Sequence, residues 1–362
     1  MKKRAVVAMS GGVDSSTAAY LLLKKGYDVI GISLKLFNSQ DSKEPTQGRK
    51  ACCGIQGIND ARAVALKLGI PFYALNYVEE FKAGVIDYFL NEYKNARTPN
   101  PCVMCNEIIK FDSLLKKAKS LGADFIATGH YAKVGYDKKV KRYILKKAKD
   151  IRKDQSYFLF SLPQESLKHT IFPLADFTKH QVRRVAKKIG IKVYNKPASH
   201  EICFIPDNNY RDFLIKNDPA IANPGPIIDR QGKVLSSHKG IGFYTVGQRR
   251  GLGIWGKHPL YVIALDGKRN TVIVGEKKDL YSKRLIAKRV NWIAISGLDK
   301  PLKVKAQVRY NQPPSWAVVS KIDKDKVAVD FLRHEEAVTP GQAVVFYHNN
   351  VVLGGGIIEN GA

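Results

Sequence analysis

The first forty residues hold two unbroken apolar runs with a helix-spaced stretch between them. Arg4-Ala-Val-Val-Ala-Met9 is apolar after its first residue, as suits a parallel strand buried on both faces. Thr17–Lys25 reads as a helix, and Gly26 predicts its end. Tyr27–Lys35 reads as a second strand. Between the first strand and the helix lies Ser10-Gly11-Gly12-Val13-Asp14-Ser15-Ser16. Strand, glycine loop, helix, strand is the opening of a doubly wound, Rossmann-like parallel α/β sheet. The alternation continues with a helix over Ala61–Leu68, a strand over Pro71–Leu75 and a strand over Asp124–Ala127. Phe177–Ile189 predicts an amphipathic basic helix carrying Lys179, Arg183, Arg184, Lys187 and Lys188, with either a solvated face or an RNA backbone contact as its purpose.

The pattern changes around 195–210. Residues 207–280 are rich in glycine and short strands, which predicts a small α+β domain. From 281 onward, alternating segments such as Lys303–Arg309 and Lys326–Asp330 predict a β-barrel. The expected domains are therefore 1–200, 207–280 and 281–362.

Composition narrows the class. Hydrophobic residues make up 44% and charged residues 25%, which excludes a disordered or collagen-like chain. No apolar run approaches the roughly 18 residues needed to cross a bilayer. The apolar stretch near Met1 is too short for a secretory signal. These features predict a soluble, cytoplasmic protein with an intact N-terminus and no membrane partner. Charge is the unusual feature: 60 Lys and Arg against 32 Asp and Glu leave +28. A polyanion such as nucleic acid is the partner this suggests, against a lysine-rich background or general solubility. Residues 133–196 are the densest stretch, with 18 basic and 5 acidic side chains.

The Ser10–Ser16 loop reads as a phosphate cradle. Two glycines allow close approach to an anion, the following helix N-terminus offers unpaired N–H groups, and the serines add hydroxyls. It is neither of the common glycine-rich nucleotide motifs. Asp14 beside phosphate is repulsive unless it holds Mg²⁺. A plain capped turn is the alternative reading.

The five cysteines are Cys52, Cys53, Cys102, Cys105 and Cys203, an odd set without a disulfide framework. Thr98-Pro-Asn-Pro-Cys102-Val-Met-Cys105-Asn106 reads as an ordered loop entering a helix. Its C-x-x-C could be half a zinc site, an acidified redox pair or two packed thiols. Cys203 lies between His200-Glu201 and Phe204, where flanking groups could tune a thiolate. With the first loop, the cysteines suggest that one thiol carries sulfur as a persulfide and a second releases it.

The first loop resembles the pyrophosphate loop of the N-type ATP pyrophosphatases. The chain as a whole resembles the tRNA-specific 2-thiouridylases, from Ser10–Ser16 through Thr98–Pro101, Cys105-Asn106 with Lys110-Phe111, Ala127–Ala132, Lys153–Tyr157, the Cys203 segment, Tyr244–Gly253 and Arg309-Tyr310 to Pro340–Gln342. The resemblance implies that Ala8, Met9, Ser10, Gly11, Gly12, Val13, Asp14 and Ser15 bind ATP, as its Mg²⁺ complex, with Leu34 and Gly129 at the adenosine. It implies Cys105 as nucleophile, Cys203 as persulfide carrier, and Asn100, Pro101 and Cys102 at the target base. Position 102 varies in the family, with Asp in some members. His130, Lys153, Asp154, Gln155, Arg309, Tyr310 and Gln342 match tRNA-contact positions, while Cys52 and Cys53 match no role.

The expected reaction activates a uridine C2 oxygen with ATP and replaces it by sulfur. An iron–sulfur cluster on Cys102, Cys105 and Cys203 is the rival carrier; no other metal site is expected. The family implies a monomer acting on Lys, Glu and Gln tRNAs, with sulfur from a cysteine desulfurase or a relay protein. An amide-forming synthetase would explain the loop but not the cysteines. A non-catalytic RNA-binding protein would explain the charge but not the loop.

Overall fold

The computed structural model describes residues 2–37, 54–195, 202–205, 209–255 and 258–361. They form two compact units, one drawn from 1–86, 102–208 and 350–352, the other from 87–101, 209–349 and 353–362.

The first unit is built on a five-stranded parallel sheet in the order Phe72–Asn76, Asp28–Lys35, Arg4–Ala8, Phe125–Ala127, Thr170–Ile171. Arg4–Ala8 is central, and Ala5, Val6 and Val7 are fully buried, as an apolar strand with neighbours on both sides requires. Arg4 ties the entry edge together, its Nε donating to Asp28 at 2.6 Å and its backbone N–H to Asp124 at 2.8 Å. The chain leaves the central strand toward Asp28–Lys35 on one side and later returns as Phe125–Ala127 on the other. The carboxyl ends of Arg4–Ala8 and Phe125–Ala127 therefore flank a topological switch point, where open α/β sheets bind ligands. Helices Val13–Lys24, Ile55–Leu68 and Lys179–Lys188 contribute to the core around this sheet. The hairpin of Lys133–Asp137 and Arg142–Lys146 belongs to the same unit and pairs with Val351-Val352.

The second unit holds a four-stranded sheet, in the order Tyr261–Asp266, Thr271–Gly275, Gly225–Ile228, Val234–His238, with the helix Tyr210–Asn217. It also holds a barrel ordered Tyr281–Trp292, Val327–Glu336, Ser315–Lys321, Leu302–Gln307, Ala343–His348, Val351–Gly361. The last strand pairs back onto the first, so the six strands close and leave no edge. The α/β sheet, the small α+β sheet and the C-terminal barrel are the architecture expected from the strand patterns.

Three boundaries differ from the sequence reading, one of them the helix expected over Ala61–Leu68, which begins at Ile55. The first helix begins at Val13, not Thr17, so Asp14, Ser15 and Ser16 are its first turn. Gly12 caps it without a side-chain acceptor, and sequence patterns mark N-termini by such acceptors. The cysteine segment is already helical from Pro101: a turn over Pro101–Met104 runs into a π-wound stretch over Cys105–Ser113 and an α-helical end over Leu114–Ser120. Pro101 is the first helical residue, where proline costs no hydrogen bond. No helix among the described residues is long and apolar enough to cross a membrane.

Candidate active site

At the switch point, the loop after the central strand folds back on itself. Ser10 N–H donates to Ser15 Oγ at 3.2 Å, and Ser15 Oγ donates to the Gly12 carbonyl at 3.2 Å. Gly12 supplies no side-chain cap, so the first N–H groups of the helix keep their capacity for an anion. The two glycines differ in role. Gly11 has φ +70°, and a Cβ there would lie 2.2 Å from the Gly57 carbonyl oxygen, so it serves packing against the helix Ile55–Leu68. Gly12 is the one that faces room. Gly129, at the end of the Phe125–Ala127 strand, closes the other side: a Cβ there would lie 2.6 Å from Ser15 N. Ala8 ends the strand, Met9 and Val13 are buried, and Leu34 is buried in the neighbouring strand.

Asp14, expected to make sense beside phosphate if it holds Mg²⁺, has protein partners here. Tyr131 Oη donates to Asp14 Oδ1 at 2.8 Å, and Lys179 Nζ pairs with Oδ2 at 2.5 Å. Lys179 is 13% exposed, so this member of the basic helix turns toward the loop. Burial first, and then the Asp14 charge, hold the Tyr131 phenol far above its ordinary pKa, so it remains a donor. Both carboxylate oxygens are thus engaged by the protein, one by Tyr131 and one by Lys179.

The cysteine helix supplies the second half. Cys105 is buried and Cys102 exposed, and neither is in a disulfide. Burial raises the Cys105 thiol, with the Lys110 charge pulling it down. The Cys102 thiol is raised to about 11, mainly by desolvation from the protein around it and against the Lys110 charge. Lys110 Nζ donates to Asn106 Oδ1 at 3.0 Å, and Asn106 Nδ2 donates to the Phe158 carbonyl at 3.1 Å. The π winding matters here. In a 3.6-residue helix, position 110 would sit roughly 140° round from 105. Bonding to the fifth residue brings it nearly above, so one ammonium serves both Cys105 and Asn106.

Cys203 is half-buried in the turn Ile202–Ile205, where Ile205 N–H donates to the Ile202 carbonyl at 3.1 Å. Phe204 anchors that turn edge-on to Phe81 at 5.6 Å. The residues after Phe81 are a second π-wound stretch, Lys82–Ile86, and Gly84 lies against Ile108 of the cysteine helix. A chain of packing contacts within the first unit therefore links the Cys203 turn to the Cys105 helix. Among the described residues, no three His, Cys, Asp or Glu side chains gather as a metal group.

Family models match the chain in three consecutive stretches: a tRNA methyl transferase HUP domain over residues 3–207, a tRNA methyl transferase PRC-barrel domain over 211–276, and an aminomethyltransferase beta-barrel domain over 282–358. A tRNA-specific 2-thiouridylase MnmA of Halothermothrix orenii is 52% identical over 98% of this chain and 99% of its own. The proteins of that name from Clostridioides difficile and Clostridium perfringens are each 48% identical over 99% of both chains. The chain belongs to the tRNA-specific 2-thiouridylase family.

The positions matched to tRNA contact in that family are largely bonded within this 2-thiouridylase homologue. His130 is half-buried, with Nδ1 2.7 Å from Thr128 Oγ1. Burial first, then Lys110, hold it well below the usual histidine pKa, so it is neutral and carries no charge for phosphate. Asp154 accepts from Ala148 N–H at 2.8 Å and Ser156 Oγ at 2.7 Å, and burial raises its pKa. Gln155 Oε1 accepts from Tyr131 N–H at 3.0 Å, so it steadies the tyrosine that holds Asp14. Lys153 is half-buried at the end of a short 3-10 turn.

Arg309, Tyr310 and Gln342 lie in the second unit, where the Tyr310 carbonyl accepts from Gln307 Nε2 at 2.8 Å. Asn100 is half-buried and Pro101 buried beside exposed Cys102. His200, Glu201, Cys52 and Cys53 lie outside the described residues. From the sequence, Lys110 and Tyr131 have no assigned role and Lys179 is placed only on a basic helix face. Lys110 and Tyr131 lie in segments that carry the family resemblance, but Lys179 meets Asp14 across 165 positions and has no local signal.

Lys110→Met removes the charge that lowers both thiols, so the pH profile of Cys105 alkylation moves to higher pH and the rate near pH 8 falls; an unmoved profile contradicts the role. Lys179→Met leaves a carboxylate uncompensated beside the loop and raises the KM for ATP about tenfold. Adding Asp14→Asn restores most of that loss, which a double-mutant cycle on pyrophosphate release measures.

Proposed function

We propose that the protein is an ATP-dependent tRNA-uridine 2-sulfurtransferase that converts the wobble uridine to 2-thiouridine, with AMP and pyrophosphate as products. The observation that supports this most is that the Ser10–Ser15 loop, the Cys105 helix and the Cys203 turn belong to one compact unit. In this reading residues 1–200 are catalytic, and 207–280 and 281–362 handle the tRNA of Lys, Glu and Gln isoacceptors. ATP enters as its Mg²⁺ complex, with the cation carried on the phosphates.

The chemistry follows from the atoms. The uracil C2 oxygen is a poor leaving group until it attacks the α-phosphorus of ATP and expels pyrophosphate. The base reaches the site only if it is splayed out of the anticodon loop. Cys203 receives sulfur as a persulfide from a cysteine desulfurase or a relay protein. The Cys105 thiolate attacks the Cys203 sulfur, forms a disulfide and releases the terminal sulfur as hydrosulfide. Hydrosulfide adds at C2 and AMP leaves. The two electrons that reduce the terminal sulfur come from the two thiols, so an external thiol must reduce the Cys105–Cys203 disulfide before the next turnover. Direct addition of the persulfide at C2, with Cys105 resolving the product, has the same balance.

Nucleoside analysis of tRNA from a deletion strain is expected to lack 2-thiouridine. Complementation with Cys105→Ser or Cys203→Ser leaves it absent, while both purified variants bind tRNA within about twofold of wild type, since neither thiol is a phosphate contact. Thiolation retained in either variant overturns the roles of nucleophile and persulfide carrier.

A further inference from the structure

Three residues ahead of the cysteine helix are bonded far beyond what a connecting loop requires. Thr98 N–H donates to the Pro340 carbonyl at 2.9 Å. Gln342 Nε2 donates to the Thr98 carbonyl at 2.9 Å and to the Pro99 carbonyl at 3.2 Å. Thr98 Oγ1 meets Thr245 Oγ1 at 3.1 Å, and Arg97 Nη2 donates to the Ile358 carbonyl at 3.0 Å. The clamp is itself stiffened. Gly341 sits at φ +90° with Thr98 backbone against it, and its N–H donates to the Ile358 carbonyl at 2.9 Å. Arg309 Nη2 donates to Thr339 Oγ1 at 2.7 Å, to the Ala337 carbonyl at 2.9 Å and to the Val246 carbonyl at 3.0 Å, which fixes the segment leading into Pro340. All of these groups lie in the second unit. Pro101, two residues past the clamped Pro99, is the first residue of the helix that carries Cys102 and Cys105.

We propose that Gln342 is a positioning residue, supported by Arg309, that holds residues 97–99 and through them sets the start of the cysteine helix. Its amide spends both protons on carbonyls of that segment, a bond pattern that a phosphate contact would not need. The role in thiolation rests on the proposed sulfurtransferase function; the clamp itself does not.

The test uses the full-length protein without tRNA, so that a lost RNA contact has no effect. The readout is the rate of iodoacetamide modification at Cys102 and Cys105, followed by peptide mass spectrometry, beside kcat and KM for tRNA in thiolation. Gln342→Ala is expected to raise the tRNA-free modification rate of buried Cys105 and to lower kcat about tenfold, as loss of two hydrogen bonds to backbone allows, with KM for tRNA within about twofold. Thr98→Val, made on the clamped segment, is expected to shift both readouts in the same direction by a smaller factor, and it decides the matter if Gln342→Ala does not fold. A modification rate unchanged in both variants, with a raised KM for tRNA in Gln342→Ala, overturns the proposal and makes Gln342 an RNA contact. If Cys105→Ser still thiolates while Gln342→Ala alters Cys102 reactivity, the thiolase roles fail and the clamp stands.

Discussion

A buried thiol is a poor nucleophile, because burial penalises the thiolate that does the work. Cys105 meets that constraint, and much of its surroundings can be read as a response to it. The charge that opposes burial is Lys110, and it acts on Cys102 and His130 as well as on Cys105. Lys110 and Cys105 share one π-wound stretch, Cys105–Ser113. Winding of this kind loosens the usual backbone ladder. Here side chains take up some of the slack, with Ser113 Oγ donating to the Ile108 carbonyl at 3.0 Å and Ser166 Oγ to the Phe111 carbonyl at 2.8 Å. The same ammonium that tunes the thiol also fixes Asn106, so electrostatics and geometry are set by one side chain.

The glycine loop after the central strand solves a different problem. A helix N-terminus attracts anions, yet its first turn carries Asp14. Lys179 and Tyr131 answer that charge from two other elements, and Gln155 steadies Tyr131 from a third. The loop can then present N–H groups and serine hydroxyls without a bare carboxylate among them. Gln155, matched by resemblance to RNA contact, is thus bonded to Tyr131, one of the two partners of Asp14.

The architecture was legible because it is written in local periodicity. Arg4–Ala8 is apolar on both faces, and Leu302–Gln307 alternates as a barrel strand does. The cysteines and the glycine loop were legible as residue types at close spacing. What escaped the sequence has a common cause. The helix start at Val13 has no side-chain cap to announce it. The π winding at Cys105 has no compositional mark. Lys179 with Asp14 and Gln342 with Thr98 are partners 165 and 244 positions apart, and one chain offers no local trace of such a pairing. Arg309 and Gln342 could be singled out as important by resemblance, but the bonds that occupy them are tertiary.

The central claim is that sulfur leaves Cys203 at the expense of Cys105. A single turnover without reductant, starting from protein that carries a persulfide on Cys203, tests it most directly when peptides are mapped by mass spectrometry beside the nucleosides. The account predicts a Cys105–Cys203 disulfide that accumulates in step with 2-thiouridine. Full thiolation with both thiols still reduced, or with the disulfide made through Cys102, would contradict it.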